Sequence, residues 1–581
     1  MPLVPLKFKA GIVKDITEYA SGKAGFYTDG NLVRFRNGFP EKIGGWLEET
    51  YSFNADQSTV TTVTGTPKHL VAWRDTTDSF DRIIVGTHNH LYVINNGVFY
   101  DITPLRKTSE NLTNPLVTTN SSSVVTVTDT SHGAQTGDFI VIKQATAVGG
   151  IGNSDGVGFE SSDPATGFGV GSWGESTWGT ARSVASSTVN IDATNWSLEL
   201  WGDDVLINNR GGQLYYWDTS AGDSARAVLA SSLGGASGIP TKIRTIAVSF
   251  PDRHLIVGGA IPLSGGGIDP MLVRFSNQED FAVFTPTSTN TAGDQRLEVG
   301  SKIISMTPTK DEMFIQTDEA VYGMTFVGPP FTFSFRLLAV NCGAVALHGS
   351  ANVDGDVYWI GKSNFFIYNG AVAELPCSVQ YFVFDRMQTR YFDKIYAGHN
   401  KKYNEITWFY VSEDNVVEDN PEPDSYVTFN YADAAWTIGT LDRNVWHDAQ
   451  GFRKVPFAFD ADGKLYDHET GTSDNGSAMN AHIESGDFEL DNVGENLTIV
   501  DRVIPDATMN SDTNLYVQLK TRKYPNAPET IKGDFTVTSE TQKISTRAKG
   551  RQMAIKFFSN GTLDQWLLGD FRVNARKDGL R

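Results

Sequence analysis

Four residue patterns in this 581-residue chain have types and spacings that chemistry uses. Adjacent carboxylates come first: Asp203-Asp204, Asp311-Glu312 and Asp318-Glu319. Two carboxyl groups roughly 5–10 Å apart are what acid–base hydrolysis of a glycosidic bond requires. Each pair stands where a solvated hairpin turn would place it, and the sialidase-type box S-x-D-x-G-x-x-W is missing. Asp460-Ala461-Asp462-Gly463 resembles the start of a calcium loop, but Lys464 takes the place of a further oxygen ligand. A hairpin turn with Asx hydrogen bonds accounts for the same residues. His88 and His90, two apart, would face the same way on a strand, yet no third metal ligand accompanies them. Gly169-Val170-Gly171-Ser172-Trp173-Gly174 fits G-x-G-x-x-G. It lacks the preceding strand and following helix that set a phosphate on a helix N-terminus.

Other nucleophiles are as poorly supported. No G-x-S-x-G elbow occurs, and Cys342 and Cys377 have neither zinc spacing nor a catalytic setting. Arg547-Ala548-Lys549-Gly550-Arg551-Gln552 is basic. It suits phosphates, a neighbouring acidic subunit, or simply a polar turn before the run Met553 to Phe558. No catalytic, cofactor-binding or metal residue is assigned, and the expectation is a protein that is not an enzyme.

The elements that must position these residues are strands. With 34 Phe, 20 Tyr and 12 Trp, the chain has the apolar bulk to offset the entropy of ordering. It has no run of about 18 apolar residues, so no membrane-spanning segment is expected. Met1 to Ala10 lack a basic head followed by an apolar run, so no signal peptide is expected. The formal charge of −20 argues against a surface that grips nucleic-acid phosphates.

A hairpin unit recurs: an apolar strand, a Gly/Asn/Asp turn, then a strand with an aromatic residue. Ile83-Ile84-Val85 leads to Leu91-Tyr92-Val93-Ile94, and Val205-Leu206-Ile207 to Leu214-Tyr215-Tyr216-Trp217. Equivalent pairs start at Leu255, Met313, Val357, Ile406 and Phe457. β-Branched and aromatic residues pack on a pleated surface, and the turn residues tolerate positive φ. The first strands end at positions 85, 207, 257, 315, 359, 408 and 459, so all spacings but one are near the ~40–50-residue period of propeller blades.

The expected fold is all-β: a β-propeller of six or seven blades with an inserted small β-domain and a C-terminal antiparallel β-sandwich. Residues 1–50 form an N-terminal strand segment packing on the propeller, whose strands close it. Residues 51–104 are its first part, and 105–195 are a Ser/Thr/Gly-rich insert that explains the long spacing. Residues 196–475 are the main propeller and 476–581 the sandwich. Helix is scarce; the best run is Ser378 to Met387, with Ser378 as cap and Val379, Phe382, Val383 and Met387 on one face. Residues 479–581 hold 14 Lys+Arg and 14 Asp+Glu, so the rest of the chain carries the whole −20.

Both ends carry a resemblance. Gly25-Phe26-Tyr27-Thr28-Asp29-Gly30-Asn31-Leu32-Val33-Arg34-Phe35-Arg36-Asn37-Gly38-Phe39-Pro40-Glu41-Lys42-Ile43-Gly44-Gly45-Trp46 resembles the opening of short-tailed bacteriophage (podovirus) nozzle proteins. These are also described as packaged-DNA stabilisation or tail tubular B-type proteins. Ile483 to Phe488, Arg547 to Gln552 and Trp566 to Arg572 resemble the end of that family. Val125 to Gly133 with Thr136-Gly137-Asp138 is similar to small β-modules of phage structural proteins. The resemblance implies a propeller-based virion component assembled in the host cytoplasm. It implies a homohexameric ring at the end of the tail, bound to the adaptor (connector) protein beneath the portal and carrying or abutting tail fibres or spikes. Genomic DNA would pass through its lumen without sequence-specific binding. No cofactor or metal is implied. The competing expectation, from a different class, is a propeller enzyme or lectin-like protein acting on host-surface polysaccharide.

Overall fold

The computed structural model describes residues 3–53, 59–60, 62–104, 116–118, 125–128, 193–250, 252–415, 421–451, 453–489 and 496–579. The chain forms two compact units: Thr50–Leu347, and Met1–Glu49 with His348–Arg581. The described residues are nearly all strand and turn.

Every hairpin read from the sequence is the middle pair of an antiparallel four-stranded set. Within Thr50–Leu347 the first set is Pro67–Arg74, Asp81–Thr87, Leu91–Asn95 and Val98–Asp101, extended by Tyr51–Phe53, which runs parallel to Val98–Asp101. The second is Trp196–Trp201, Asp204–Asn209, Leu214–Trp217 and Val228–Leu229. The third is Ile243–Val248, Leu255–Ala260, Asp269–Phe275 and Gly293–Arg296. The fourth is Ile303–Pro308, Met313–Thr317, Ala320–Gly328 and Thr332–Val340. Successive sheets pack face to face: Trp73, Ile84, Trp196 and Trp217 share one core, Leu206, Ile246 and Val257 a second, and Val273, Met313 and Phe333 a third. A middle strand covered on both faces must be apolar at consecutive positions. That is why Ile83-Ile84-Val85 and Leu255-Ile256-Val257 read as unbroken runs rather than alternations.

The other unit holds three more sets. They are Ser350–Val353, Asp356–Ile360, Phe365–Tyr368 and Val372–Leu375; then Tyr396–Asn400, Glu405–Tyr410, Ser425–Asn430 and Ala435–Thr440; then Val445–His447, Phe457–Phe459 and Leu465–His468. The last is completed by Trp46–Glu48 from the other end of the chain, with Tyr466 opposite Glu48. One packing device occurs in both units. Gly86 lies under the Trp196 ring, whose Nε1–H donates to the Thr87 carbonyl at 2.7 Å. Gly398 lies under Trp446, whose Nε1–H donates to the His399 carbonyl at 2.9 Å. A side chain at either glycine would occupy the space of the indole.

The remaining strands form three sheets that combine both chain ends. Leu3–Pro5, Arg572–Lys577, Thr498–Ile504 and Ile544–Gly550 make one. Tyr27–Asn31, Ala481–Ser485, Gln552–Ser559, Leu515–Arg522 and Thr530–Val537 make another, and Val33–Arg36, Phe39–Lys42, Trp566–Leu568 and Ala507–Met509 the third. Four strands of residues 1–50 are thus hydrogen-bonded members of sheets with the C-terminal residues, where the sequence suggested a segment laid on a propeller. Only Trp46–Glu48 joins one of the repeated sheets.

Two local expectations change. The helix is Gln380–Arg386, with Val379 and Val383 buried, but Ser378 does not cap it. The Ser378 hydroxyl donates to the Ile12 carbonyl at 2.5 Å, and the carboxylate of Asp15 accepts the Tyr381 and Phe382 N–H groups instead. The basic run at Arg547 is no turn: Ile544–Gly550 is a strand of its own. Of the insert 105–195, Leu116–Thr118 paired with Val125–Val127, Thr128 and residues 193–195 are described; the rest lies outside the described residues.

Candidate functional site

The structure disperses the sequence candidates into local roles. Asp203 accepts the Thr76 N–H at 3.1 Å, and Asp204 accepts the Thr219 N–H at 3.0 Å and the Tyr216 hydroxyl at 2.6 Å. Asp318 accepts the Ser301 N–H at 2.7 Å. Its burial opposes ionisation, but these bonds hold its carboxyl below the usual range. Glu312 faces Arg336 at 3.4 Å, while Asp311 and Glu319 are exposed. Asp460 accepts the Lys464 N–H at 2.8 Å across a hairpin turn with Gly463 at φ +77°, so its side chain closes the turn rather than holding a metal. His88 Nδ1 accepts the Thr66 N–H at 3.0 Å, and His90 stacks on Tyr92. Among the described residues no three His, Cys, Asp or Glu side chains gather to hold a metal. Burial pushes the Cys342 thiol up to about 11 and the Cys377 thiol up to about 12. Residues 169–174 lie outside the described residues.

Three arrangements escaped the sequence reading. In Thr50–Leu347, Asp252 meets His254 Nδ1 at 2.7 Å and His254 Nε2 meets the Thr291 hydroxyl at 2.9 Å. This is the order of an acid–base relay, but the imidazole is fully buried against Phe326 and Phe333. Thr291 is also held by the Gln278 N–H and by Asn277. The relay ties a loop to a strand.

The second arrangement is a buried ionic cluster. Arg34, on Val33–Arg36, forms an ion pair with Glu405 at 3.2 Å and a two-pronged pair with Glu469, one prong at 3.1 Å. Its guanidinium lies 3.6 Å from the centre of the Tyr403 ring. The three charged side chains are 5–7% exposed. Glu469 has φ +57°, a left-handed backbone that its two partners, Arg34 and the Gly44 N–H, hold in place. Burial, with Glu469 adding repulsion against the pull of Arg34, pushes the Glu405 carboxyl up to about 7. The cluster fastens the N-terminal strands to the sheets carrying Glu405 and Leu465–His468.

The third is a basic sheet face. In the sheet of Leu3–Pro5, Arg572–Lys577, Thr498–Ile504 and Ile544–Gly550, the inner face is Val500, Val503, Ile544, Ala548 and Val573, all at most 5% exposed. The outer face presents Arg502, Arg547, Lys549, Arg572 and Arg576, all exposed. Register sets Ile499 between Lys549 and Arg576, Arg502 between Ser545 and Asn574, and Arg572 beside Ile504. Lys549 pairs with Asp578; among the described residues none of the four arginines has a carboxylate partner. The five-stranded sheet behaves oppositely. There Lys520 pairs with Glu484, Arg522 with Asp487 and Glu18 at 2.7 Å each, and His482 with Asp29 at 3.1 Å. Arg547 and Lys549 were visible in the sequence; Arg502, Arg572 and Arg576 join them only through register.

The class that fold and site define is an all-β chain of repeated four-stranded antiparallel sheets with interleaved termini. No protein-family model matches the sequence, and no curated protein does. Among solved structures the chain is similar to the extracellular domain of a hybrid two-component system protein of B. thetaiotaomicron, at TM-score 0.36 and 8% identity. That alignment covers 89% of this chain but only 57% of the other. It is also similar to YCF48 bound to D1 peptide, at TM-score 0.35 and 8% identity over 73% of this chain and 99% of that one. An exo-β-1,3-galactanase of Phanerochaete chrysosporium matches at TM-score 0.22 and 8% identity, over 65% of this chain and 95% of that one. At these scores none of the likenesses bears on function. Among the described residues no helix is long and apolar enough to cross a membrane.

Proposed function

We propose that the chain is a structural component of a short phage tail, forming the nozzle ring that retains packaged DNA and conducts it during ejection. One observation carries the reading furthest. The two stretches that resemble the nozzle family, at opposite ends of the sequence, are hydrogen-bonded to one another: Tyr27–Asn31 pairs with Ala481–Ser485, and Phe39–Lys42 with Trp566–Leu568. Sequence features that belong to one built module support common descent better than scattered ones.

In this reading the chain carries a β-propeller of six or seven blades, with 105–195 as the inserted domain and 476–581 as the C-terminal sandwich. Residues 50–478 contain 48 Asp+Glu and 27 Lys+Arg, whereas 1–49 and 479–581 together contain 20 and 21. The blades therefore carry the acid. Six copies would carry −120, and acidic side chains along a lumen would keep a duplex from adhering as it passes.

Electron cryomicroscopy of purified tails tests this. A ring of this chain around the DNA path, against the adaptor, is the expected result. Depolymerisation of host capsule or lipopolysaccharide, abolished by substituting one carboxylate, would overturn it in favour of a polysaccharide-cutting enzyme; glycan binding without turnover, with no ring, would favour a lectin-like role.

A further inference from the structure

We infer that the outer face of the sheet Leu3–Pro5, Arg572–Lys577, Thr498–Ile504 and Ile544–Gly550 is the surface on which a second copy of this chain docks, through its carboxylates. The inference rests on the proposed ring and names the contact that builds it.

The geometry is that of a prepared surface. Strands are about 4.8 Å apart and residues rise about 3.4 Å along them. Arg572 and Arg576, four residues apart, therefore span about 14 Å, and Ile544–Gly550 lies two strands from Arg572–Lys577, about 10 Å away. Arg502, Arg547, Lys549, Arg572 and Arg576 all fall within that area. Five cations so close repel one another, and among the described residues only Lys549 is relieved, by Asp578. On the five-stranded sheet, by contrast, Lys520 and Arg522 are neutralised by Glu484 and Glu529.

The occupant follows from charge. Planar guanidinium forks take carboxylate or phosphate in two-point contacts. A second copy offers the complement: its residues 50–478 hold 21 more acidic than basic side chains. Basic face against acidic sheets is a heterologous contact, and such contacts close into rings when the rotation permits.

The test compares the full chain with Arg502→Glu/Arg572→Glu/Arg576→Glu, with the milder Gln triple variant, and with Lys532→Glu on the exposed strand Thr530–Val537 as control. Self-association is read by sedimentation velocity across protein and salt concentration, and folding by circular dichroism. The expected result is association that weakens with salt, falls by at least about tenfold in the Glu variant, falls less in the Gln variant, and is unchanged in the control. A folded Glu or Gln variant that associates like the parent overturns the inference, as does a parent that stays monomeric at every concentration. Binding of a short DNA duplex that the Glu variant loses, with self-association unchanged, also overturns it in favour of a phosphate surface. A ring seen in assembled tails with this face free of its neighbour leaves the nozzle reading standing and removes this one. Association through this face by a chain absent from tails does the reverse.

Discussion

Replacing Arg34 by Met keeps most of the side-chain volume and removes the cation that faces both Glu405 and Glu469. Both carboxylates are 6–7% exposed, so neither recovers its hydration from water. Leaving buried charge uncompensated costs about 3–5 kcal/mol. Loss of the stack on Tyr403 adds about 0.5–1 kcal/mol. Glu405 already titrates near neutrality, at about 7, so it can escape by taking a proton. The loss must therefore depend on pH: about 4 kcal/mol at pH 8, where Glu405 is charged, and clearly less near pH 5.5, where it is not. A purely steric role would give the same loss at both. Because the chain has two compact units, global unfolding is a poor readout. Hydrogen exchange is better: Val33–Arg36, Phe39–Lys42 and Glu405–Tyr410 should open roughly a thousandfold more often at pH 8, while the sheets of Thr50–Leu347 serve as the internal reference. A change below about 1 kcal/mol, or an equal change at both pH values, would refute the reasoning.

Glu405→Gln should remove a pH dependence. A carboxyl pushed up to about 7 when folded stabilises fully below its unfolded value near 4.5 and loses that contribution as pH rises through about 7. The protein should therefore lose up to about 3 kcal/mol of local stability over that range, and the variant should not; parent stability that rises between pH 6 and 8 would contradict this. Gly86→Ala should force the buried Trp196 ring off its seat, costing about 1–3 kcal/mol and altering the near-ultraviolet circular dichroism; an unperturbed spectrum would sink the packing argument. Cys342 and Cys377, with thiols pushed up to about 11 and about 12, should resist alkylation at pH 8 until the protein unfolds. Asp318→Ala should cost about 1 kcal/mol by freeing the Ser301 N–H and leave any activity on polysaccharide untouched; loss of such an activity without loss of stability would reassign the residue to catalysis.

Little of the site was legible in the sequence. Asp460, Asp203 and Asp318 sit in turns as their sequence context suggests, but only Asp460 satisfies a nearby donor, the Lys464 N–H; Asp203 and Asp318 accept from Thr76 and Ser301, 127 and 17 positions away. Ser378 shows the limit of that logic. It has the right type and position for a cap, yet Ile12 claims its hydroxyl and Asp15, 366 positions from Tyr381, takes the helix N–H groups. Outer strands such as Gly293–Arg296 were equally invisible, since three of its residues are exposed and none needs to be apolar.

From sequence alone came the repeated hairpins, the near absence of helix and the partition of charge. Each is set by neighbours: β-branched and aromatic runs favour strands, Gly, Asn and Asp favour the turns between them, and counting acids needs no fold. Tertiary structure decided what joins across hundreds of residues. Leu3 faces Asn574, Tyr27 faces Ser485, Trp46 faces His468, Arg34 reaches Glu469, and Arg502 lies between Ser545 and Asn574. Strand partners are chosen by register and by which apolar face must be covered, and the minimum is shared by the whole chain. No local pattern carries that information, so the buried cluster exists only once the two ends have met, and the basic face only once Thr498–Ile504 lies between Ile544–Gly550 and Arg572–Lys577.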